Sequence, residues 1–363
     1  MDFSWFWLKR WYNVYNWNGV IIMAFKIYNR RYTGSKNKLV PWIKEVVDEH
    51  CSDATSFCDI FAGTGVVTYA MLEKYDDFEI NDFLYSNEVI YNAFFSNKKY
   101  DREKVLKIAQ KYKSLESDFL EPDFVTNNYG NKYFSINDSL KIDYIRNDIE
   151  KKKNYLNKRE YNILLASLIY SFDRIANTVG HYDAYIKNTK INNSFKFELI
   201  EPAIEADSKK NVQIYREDAN DLAKRVVSDI VYIDPPYSSR QYSRFYHLIE
   251  TITKWDKPEL FGTALKPEPD NISEYSKTKA LDFFTDLILD LKSKYIVVSY
   301  NNTYMSKSKS SKNKMSLEDI EKVLKSKGET TMYVKKHKAF NAGKTEFDDK
   351  HQEILFVTKV RGN

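Results

Sequence analysis

The chain carries only two cysteines, Cys51 and Cys58, among 363 residues. Two thiols cannot staple a disulfide-dependent fold of this size, and no Cys/His group has the spacing of a zinc site. A reducing, cytoplasmic setting without a bound metal is expected. No stretch reaches the ~18 apolar residues of a spanning helix, so a membrane protein is not expected. No repeat period is visible. Charge of one sign is barely in excess: 56 Lys plus Arg face 51 Asp plus Glu, a net of +5. That balance admits a polyanionic partner without requiring one. What is plentiful is aromatic: 15% of the residues, 28 of them Tyr, within 43% hydrophobic residues overall. A disordered chain carries far fewer, so a globular fold is implied. The length fits two domains, or one large domain with an insertion.

Residues 1–22, MDFSWFWLKRWYNVYNWNGVII, are aromatic but interrupted by Lys9 and Arg10. They lack the apolar core and small-residue cleavage site of a signal peptide. Met23 opens MAFKIYNRRYTGSKNKL, a plausible start. Residues 1–22 therefore read as a start-site artefact or loose extension, with a packed element as the alternative.

Residues 38–50 show apolar spacings of three and four, which predict a helix. Residues 56–61 form a short apolar run that ends in Gly63-Thr64-Gly65, and 66–75 read as the helix that follows. Residues 83–88, FLYSNE, read as a second strand. Strand, glycine turn, helix, strand is the βαβ opening of a parallel sheet. Residues 91–118 look helical, and 120–158 turn polar and irregular. A helix over 159–177 stops at Gly180. Strand-like runs return at 229–233, 295–300 and 353–358. The sheet is thus expected to be split, with 23–95 and 206–363 forming one domain around an insertion at 96–205. Residues 306–314, SKSKSSKNK, suggest a flexible basic loop.

Three motifs carry chemistry. In Asp59-Ile-Phe61-Ala62-Gly63-Thr64-Gly65 a strand delivers an acid and small residues open a helix, so the backbone can approach a ligand closely. Glu88, placed at the end of the second strand, could accept both hydroxyls of a ribose. Each signal alone is balanced by a plain structural reading; together they favour a ribose-containing cofactor. The third motif is Val231-Tyr-Ile-Asp234-Pro235-Pro236-Tyr237. Two prolines fix φ twice and remove two N–H donors. Asp234 and the Pro235 carbonyl could then both accept from one NH₂ group, and Tyr237 offers a flat face to a planar base. An ordinary turn has little reason to combine these features.

With these motifs in this order, the chain after Met23 resembles the S-adenosylmethionine-dependent, amino-methylating DNA methyltransferases of the alpha group, the Dam-like adenine methylases. The resemblance implies an α/β, Rossmann-like class I methyltransferase fold. Its mostly parallel seven-stranded sheet would be interrupted by a helical target-recognition insertion. Tyr32-Thr-Gly34-Ser35-Lys36 resembles the family's N-terminal cofactor motif, whose Lys serves the methionine end. Asp59 to Gly65 resembles its FxGxG loop, with Ala62 as a harmless departure. Asn87-Glu88 resembles the ribose motif, and Glu217-Asp218-Ala219 the acidic motif that contacts the cofactor's adenine. Asp234, Pro235, Pro236 and Tyr237 match DPPY, and Asp234 also borders the cofactor. Ile296–Asn301 and Glu353–Val357 resemble the family's later sheet strands.

The resemblance further implies double-stranded DNA as substrate, a cognate restriction endonuclease as a partner system, and a monomer. Beyond Tyr237, SSRQYSRFYH interleaves Arg240 and Arg244 with Tyr242, Phe245, Tyr246 and His247, which suits an extruded nucleotide. The competing reading is that Phe245, Tyr246 and Leu248 open a packed helix. His181, in NTVGHYDAY, is a further candidate for DNA contact. Hydrogen bonds to Asp234 and Pro235 would localise the lone pair of adenine's 6-amino nitrogen, and positioning would supply most of the catalysis. No enzyme thiolate is needed. Methylation of the cytosine 4-amino group, an RNA adenine target and a non-catalytic binding relative remain open; the first more often shows Ser where Asp234 stands.

Overall fold

A computed structural model describes residues 13–17, 20–303, 313–336 and 352–362. In chain order its elements are β1 (Asn13–Trp17), β2 (Val20–Ala24), α1 (Val40–His50), β3 (Ser56–Asp59), α2 (Val66–Met71), β4 (Asp77–Asn81), α3 (Tyr85–Phe95), α4 (Arg102–Lys113), α5 (Phe124–Tyr129), α6 (Ile136–Lys151) and α7 (Lys158–Ile175). There follow β5 (Asn211–Tyr215), α8 (Ala219–Ala223), β6 (Ile230–Ile233), α9 (Tyr242–Phe245), α10 (His247–Lys254), α11 (Ala280–Asp290), β7 (Tyr295–Asn301), α12 (Leu317–Lys327), β8 (Gly328–Lys336) and β9 (Gln352–Val360). They group into two compact units. One takes residues 1–34, 85–208 and 246–268, and the other 35–84, 209–245 and 269–363. The insertion expected at 96–205 lies within the first, which also includes Tyr85–Phe95 and Tyr246–Glu268.

The second unit is built on the expected seven-stranded sheet, in the order β5-β4-β3-β6-β7-β9-β8. The pairs among β5, β4, β3, β6 and β7 are parallel, while β9 runs antiparallel to β7 and β8. β6 and β7 are buried along their whole length. That is why IVYI and the YIVV that opens β7 read as unbroken apolar runs instead of alternating ones. Val231, Ile233, Ile296, Val298 and Phe356 pack with Leu222, Phe284, Leu287 and Leu324 into its main core.

The first unit holds the helices α3–α7 and α10, and in it β1, Asn13–Trp17, pairs antiparallel with β2, Val20–Ala24. The reading of 1–22 as a loose extension thus meets a paired strand at its end; residues 1–12 and 18–19 lie outside the described residues. α7 is its axis. A reciprocal Asn157–Glu160 cap starts that helix, and nearly all its side chains are buried. The basic stretch at 306–314 falls almost wholly outside the described residues.

Three expectations are corrected. The second strand is β4, Asp77–Asn81, not 83–88, and Tyr85 already begins a helix. β4 hides a buried Glu79, whose carboxylate accepts from the Val227 and Ser228 N–H groups (both 3.1 Å) and from the Ser228 hydroxyl (2.7 Å). α3 is started by Glu250, whose oxygens accept from Tyr85 N and Ser86 N, both at 2.9 Å. A cap 165 positions away leaves no local signal. The helical run at 91–118 is two helices, α3 and α4. The polar stretch 120–158 holds α5 and α6, because its polar groups point inward. Asp143 accepts from the Asp123, Val125 and Thr126 N–H groups at 2.8–3.0 Å, and buried Arg146 donates to the Ile252 and Thr253 carbonyls. Strands β5 and β8 were not anticipated.

Candidate active site

Within the second unit the chain runs from β3 to β4 on one side, then returns to pair β6 with β3 on the other. Such a reversal opens a crevice at the carboxyl ends of the strands. Four acids end or follow strands there: Asp59 as the last residue of β3, Asp82 after β4, Asp218 after β5 and Asp234 after β6.

The glycine turn is closed by Gly65 N donating to the Ala62 carbonyl at 2.7 Å and braced by Ala62 N donating to the Asn81 carbonyl at 2.9 Å. Gly63 has φ 52° and Gly65 φ 74°, the left-handed region that a Cβ disfavours. Thr64 and Ala62 are buried. Asp82 Oδ2 accepts from Gly63 N at 3.0 Å and its Oδ1 from Leu84 N at 2.9 Å, so this carboxylate is fixed against the loop. Asp59 is 1% exposed. Its Oδ2 accepts from the Thr68 hydroxyl at 2.9 Å, while Oδ1 has no hydrogen-bond partner. Burial, with added repulsion from Asp234 and Asp82, pushes its pKa up to about 8. Asp218 caps α8 through Asn220 N at 2.8 Å, and Ala219 is buried behind it. Tyr275, bonded to Asn220 at 2.8 Å, meets the Phe61 ring edge-on at 5.0 Å.

Asp234 follows the last residue of β6 and lies beside Lys36, whose Nζ is 3.1 Å from Asp234 Oδ1. The Tyr237 hydroxyl donates to the same Oδ1 and accepts from Lys36. Glu353 of β9 reaches Lys36 Nζ with Oε2 at 3.8 Å. Burial holds the Asp234 carboxyl above the usual range, against the pull of Lys36 and Tyr237. Burial alone would lower Lys36, but Asp234 and Glu353 outweigh it, so the amine stays an ammonium. The Tyr237 ring stands edge-on to Tyr300 at 4.8 Å, and its carbonyl accepts from Lys314 N at 2.8 Å. Pro235 is buried and Pro236 half-buried in the turn. Ser35 caps the short helix Lys36–Lys38.

The remaining candidates are dispersed. In the first unit Tyr32 stacks on Tyr246 at 4.6 Å, and Gly34 has φ 81°. Glu88 sits in the first turn of α3 and lines a pocket of the first unit with Tyr85, Asn92, Lys158, Tyr161 and Lys254. It is not the acid that follows the second strand; Asp82 is. Tyr246 and His247 are buried, 0% and 1% exposed. The Tyr246 hydroxyl accepts from Thr33 N at 2.7 Å, and His247 Nε2 lies 2.9 Å from the Tyr182 carbonyl. They pack inside the first unit instead of facing a nucleotide, the competing reading of that segment. Arg240 is exposed, with its guanidinium 5.4 Å over the Phe245 ring; Tyr242 and Arg244 are half-buried on α9. His181 is half-buried, its carbonyl accepting from the Thr178 hydroxyl. Sequence reasoning missed Asp82 and Glu353. Asp82 was findable as the first acid after a strand, had β4 been placed; Glu353 gave no signal. Among the described residues no group of three or more His, Cys, Asp or Glu could hold a metal ion.

Residues 32–310 match the model of the D12 class N6 adenine-specific DNA methyltransferases. Among curated proteins, the chain is 34% identical to the type II methyltransferase M.FokI of Planomicrobium okeanokoites, over 91% of this chain and 52% of that protein. It is 34% identical to the modification methylase LlaI of Lactococcus lactis subsp. lactis, over 75% of this chain and 46% of that protein. It is 31% identical to the type II methyltransferase M.NlaIII of Neisseria lactamica, over 87% of this chain and 93% of that protein. The chain thus spans about half the length of the first two relatives and nearly all of the third.

Proposed function

The chain belongs to the D12 class N6 adenine-specific DNA methyltransferase family, and from that premise we propose that it methylates the 6-amino group of a flipped-out adenine in double-stranded DNA. The donor is S-adenosylmethionine, and the setting a type II restriction-modification system with a cognate endonuclease. The observation that carries this reading is the Asp234-Pro-Pro-Tyr237 turn at the carboxyl end of β6, next to the glycine loop that ends β3.

The residues fit such a donor. Gly63 and Gly65 hold conformations that leave the loop backbone open to close approach. Asp82 is anchored at one end of that loop, suited to two ribose hydroxyls. Asp218, Ala219 and the braced Phe61 ring would take the adenine. Lys36 and Ser35 of its motif would serve the methionine end, and Asp59, Ala62 and Thr64 would line the loop. Asp59 Oδ1, buried without a partner, can accept a donor such as an ammonium. When bound, S-adenosylmethionine supplies a methyl already activated by its sulfonium.

The protein's part is then orientation. Asp234 and the Pro235 carbonyl accept from the two amino hydrogens, which draws the nitrogen lone pair out of ring conjugation. Tyr237 carries the base on its ring face. Acceptors fixed before the reaction act mainly on the transition state. A duplex hides the amino group, so the base must leave the stack at a cost of a few kcal/mol. Arg240, with Tyr242, Arg244 and His181, would meet the DNA, and residues 96–205 would choose the site. Methylome sequencing of a host that expresses the chain tests the reading: N6-methyladenine at one recurring sequence supports it, and an unmodified genome rejects it.

A further inference from the structure

Lys36 occupies the carboxylate oxygen, Asp234 Oδ1, that the proposed chemistry offers to the target amino group, and it also holds the Tyr237 hydroxyl. Its side chain is 5% exposed, with Nζ 3.1 Å from Asp234 Oδ1 and 4.7 Å from the centroid of the Tyr237 ring. A carboxylate oxygen offers about two lone-pair directions. Oδ1 already receives Lys36 and the Tyr237 hydroxyl. An adenine that donates its amino group to Oδ1 meets the ammonium there. An amino group that takes Oδ1 displaces Lys36 from it, and a buried cation that loses its anion is heavily penalised unless a second anion stands by.

Beside the cofactor's own carboxylate, Glu353 is the second anion that the protein supplies to Lys36. It lies in β9, paired in register with Asn301 of β7 and Lys335 of β8, and is 7% exposed. Its Oε2 is 3.8 Å from Lys36 Nζ, farther than Asp234 but within ion-pair range. We propose that Glu353 is a positioning residue for methyl transfer: it takes over the Lys36 ammonium when the target amino group claims Asp234. This rests on the reading that Asp234 accepts the amino group.

The test is a double-mutant cycle in single-turnover methyl transfer, with DNA and S-adenosylmethionine saturating. It uses the wild type, Glu353→Gln, Lys36→Met and the double variant. Glu353→Gln is expected to slow transfer about tenfold in the Lys36 background, within the usual range for coupled neighbours. The KM for DNA should stay within about threefold, because the handover acts after binding. In the Lys36→Met background the same change should cost no more than about twofold. Glu353→Asp, which keeps the charge, should restore part of the rate, and it carries the comparison if the Gln variant does not fold. Equal losses in both backgrounds, or a wild-type rate for Glu353→Gln, overturn the inference. A wild type that leaves no N6-methyladenine in DNA overturns the functional reading itself, and this inference with it.

Discussion

On the proposed chemistry, replacing Asp234 by Ala removes one acceptor at the reacting atom and leaves Pro235, Pro236 and Tyr237 in place. Loss of one preorganised group at a reacting centre lowers the rate by about 10²–10³. The same change also strips Lys36 of its nearer counter-ion, leaving Glu353 at 3.8 Å. A buried pair broken on one side costs about 3–5 kcal/mol. Here Asp234 keeps 17% exposure. Glu353 and the Tyr237 hydroxyl also remain as partners for Lys36, so a loss nearer ~1–3 kcal/mol is expected. For a chain of this size that lowers the melting temperature by a few degrees. DNA affinity should hold within about threefold, since phosphate contacts dominate it. The assay pairs single-turnover methyl transfer with fluorescence anisotropy on a duplex carrying the methylated site, below the melting transition. A variant that transfers methyl at the wild-type rate would show that Asp234 is not the amino acceptor. One that loses DNA binding along with the rate would show that Asp234 serves binding instead.

Gly63→Val and Gly65→Val, each placing a branched side chain at positive φ, should abolish S-adenosylmethionine binding in calorimetry; near-normal affinity in both rejects the loop assignment. Asp82→Ala should weaken cofactor binding at least tenfold and Glu88→Ala less than threefold, by roughly one lost charged hydrogen bond; the reverse order would return the ribose role to Glu88. Asp59 has a folded-state pKa near 8 against an ordinary 3.8, so the folded state keeps a proton the unfolded chain has released. Its contribution is full below the ordinary value and lost as pH rises through about 8. In cofactor-free protein, Asp59→Asn should therefore gain stability relative to wild type between pH 5 and pH 8 in urea unfolding; a difference constant with pH contradicts this. Tyr237→Ala should weaken retention of the flipped base by about 1–3 kcal/mol, and Tyr237→Phe should recover most of it. Fluorescence of 2-aminopurine at the target reads both, and equal loss in the two variants would remove the stacking role.

What the sequence made legible was what local chemistry dictates. IVYI before Asp234 and YIVV at the start of β7 are apolar because both faces of these buried strands are covered. The glycine turn announced itself through residues that tolerate positive φ. The readings that failed depended on partners distant in sequence. β4 was misplaced because Glu79 in its middle is satisfied by Val227 and Ser228, and α3 was misread because Glu250 supplies its cap. That single shift put Glu88, instead of Asp82, in the place of the acid that follows the second strand. Tyr246 and His247 look like DNA-facing aromatics beside arginines; only the fold shows that Thr33 and Tyr182 already engage them. Glu353 could not be singled out, since nothing in EILFVT indicates that it shares Lys36 with Asp234.

The central claim concerns one atom, the 6-amino nitrogen of adenine. The direct measurement incubates the purified chain with duplex DNA and methyl-labelled S-adenosylmethionine, digests the DNA to nucleosides and separates them. Label confined to N6-methyladenine, and absent when Asp234→Ala replaces the wild type, is the predicted result. Label in N4-methylcytosine, or label that enters RNA while duplex DNA stays unmodified, would contradict the account.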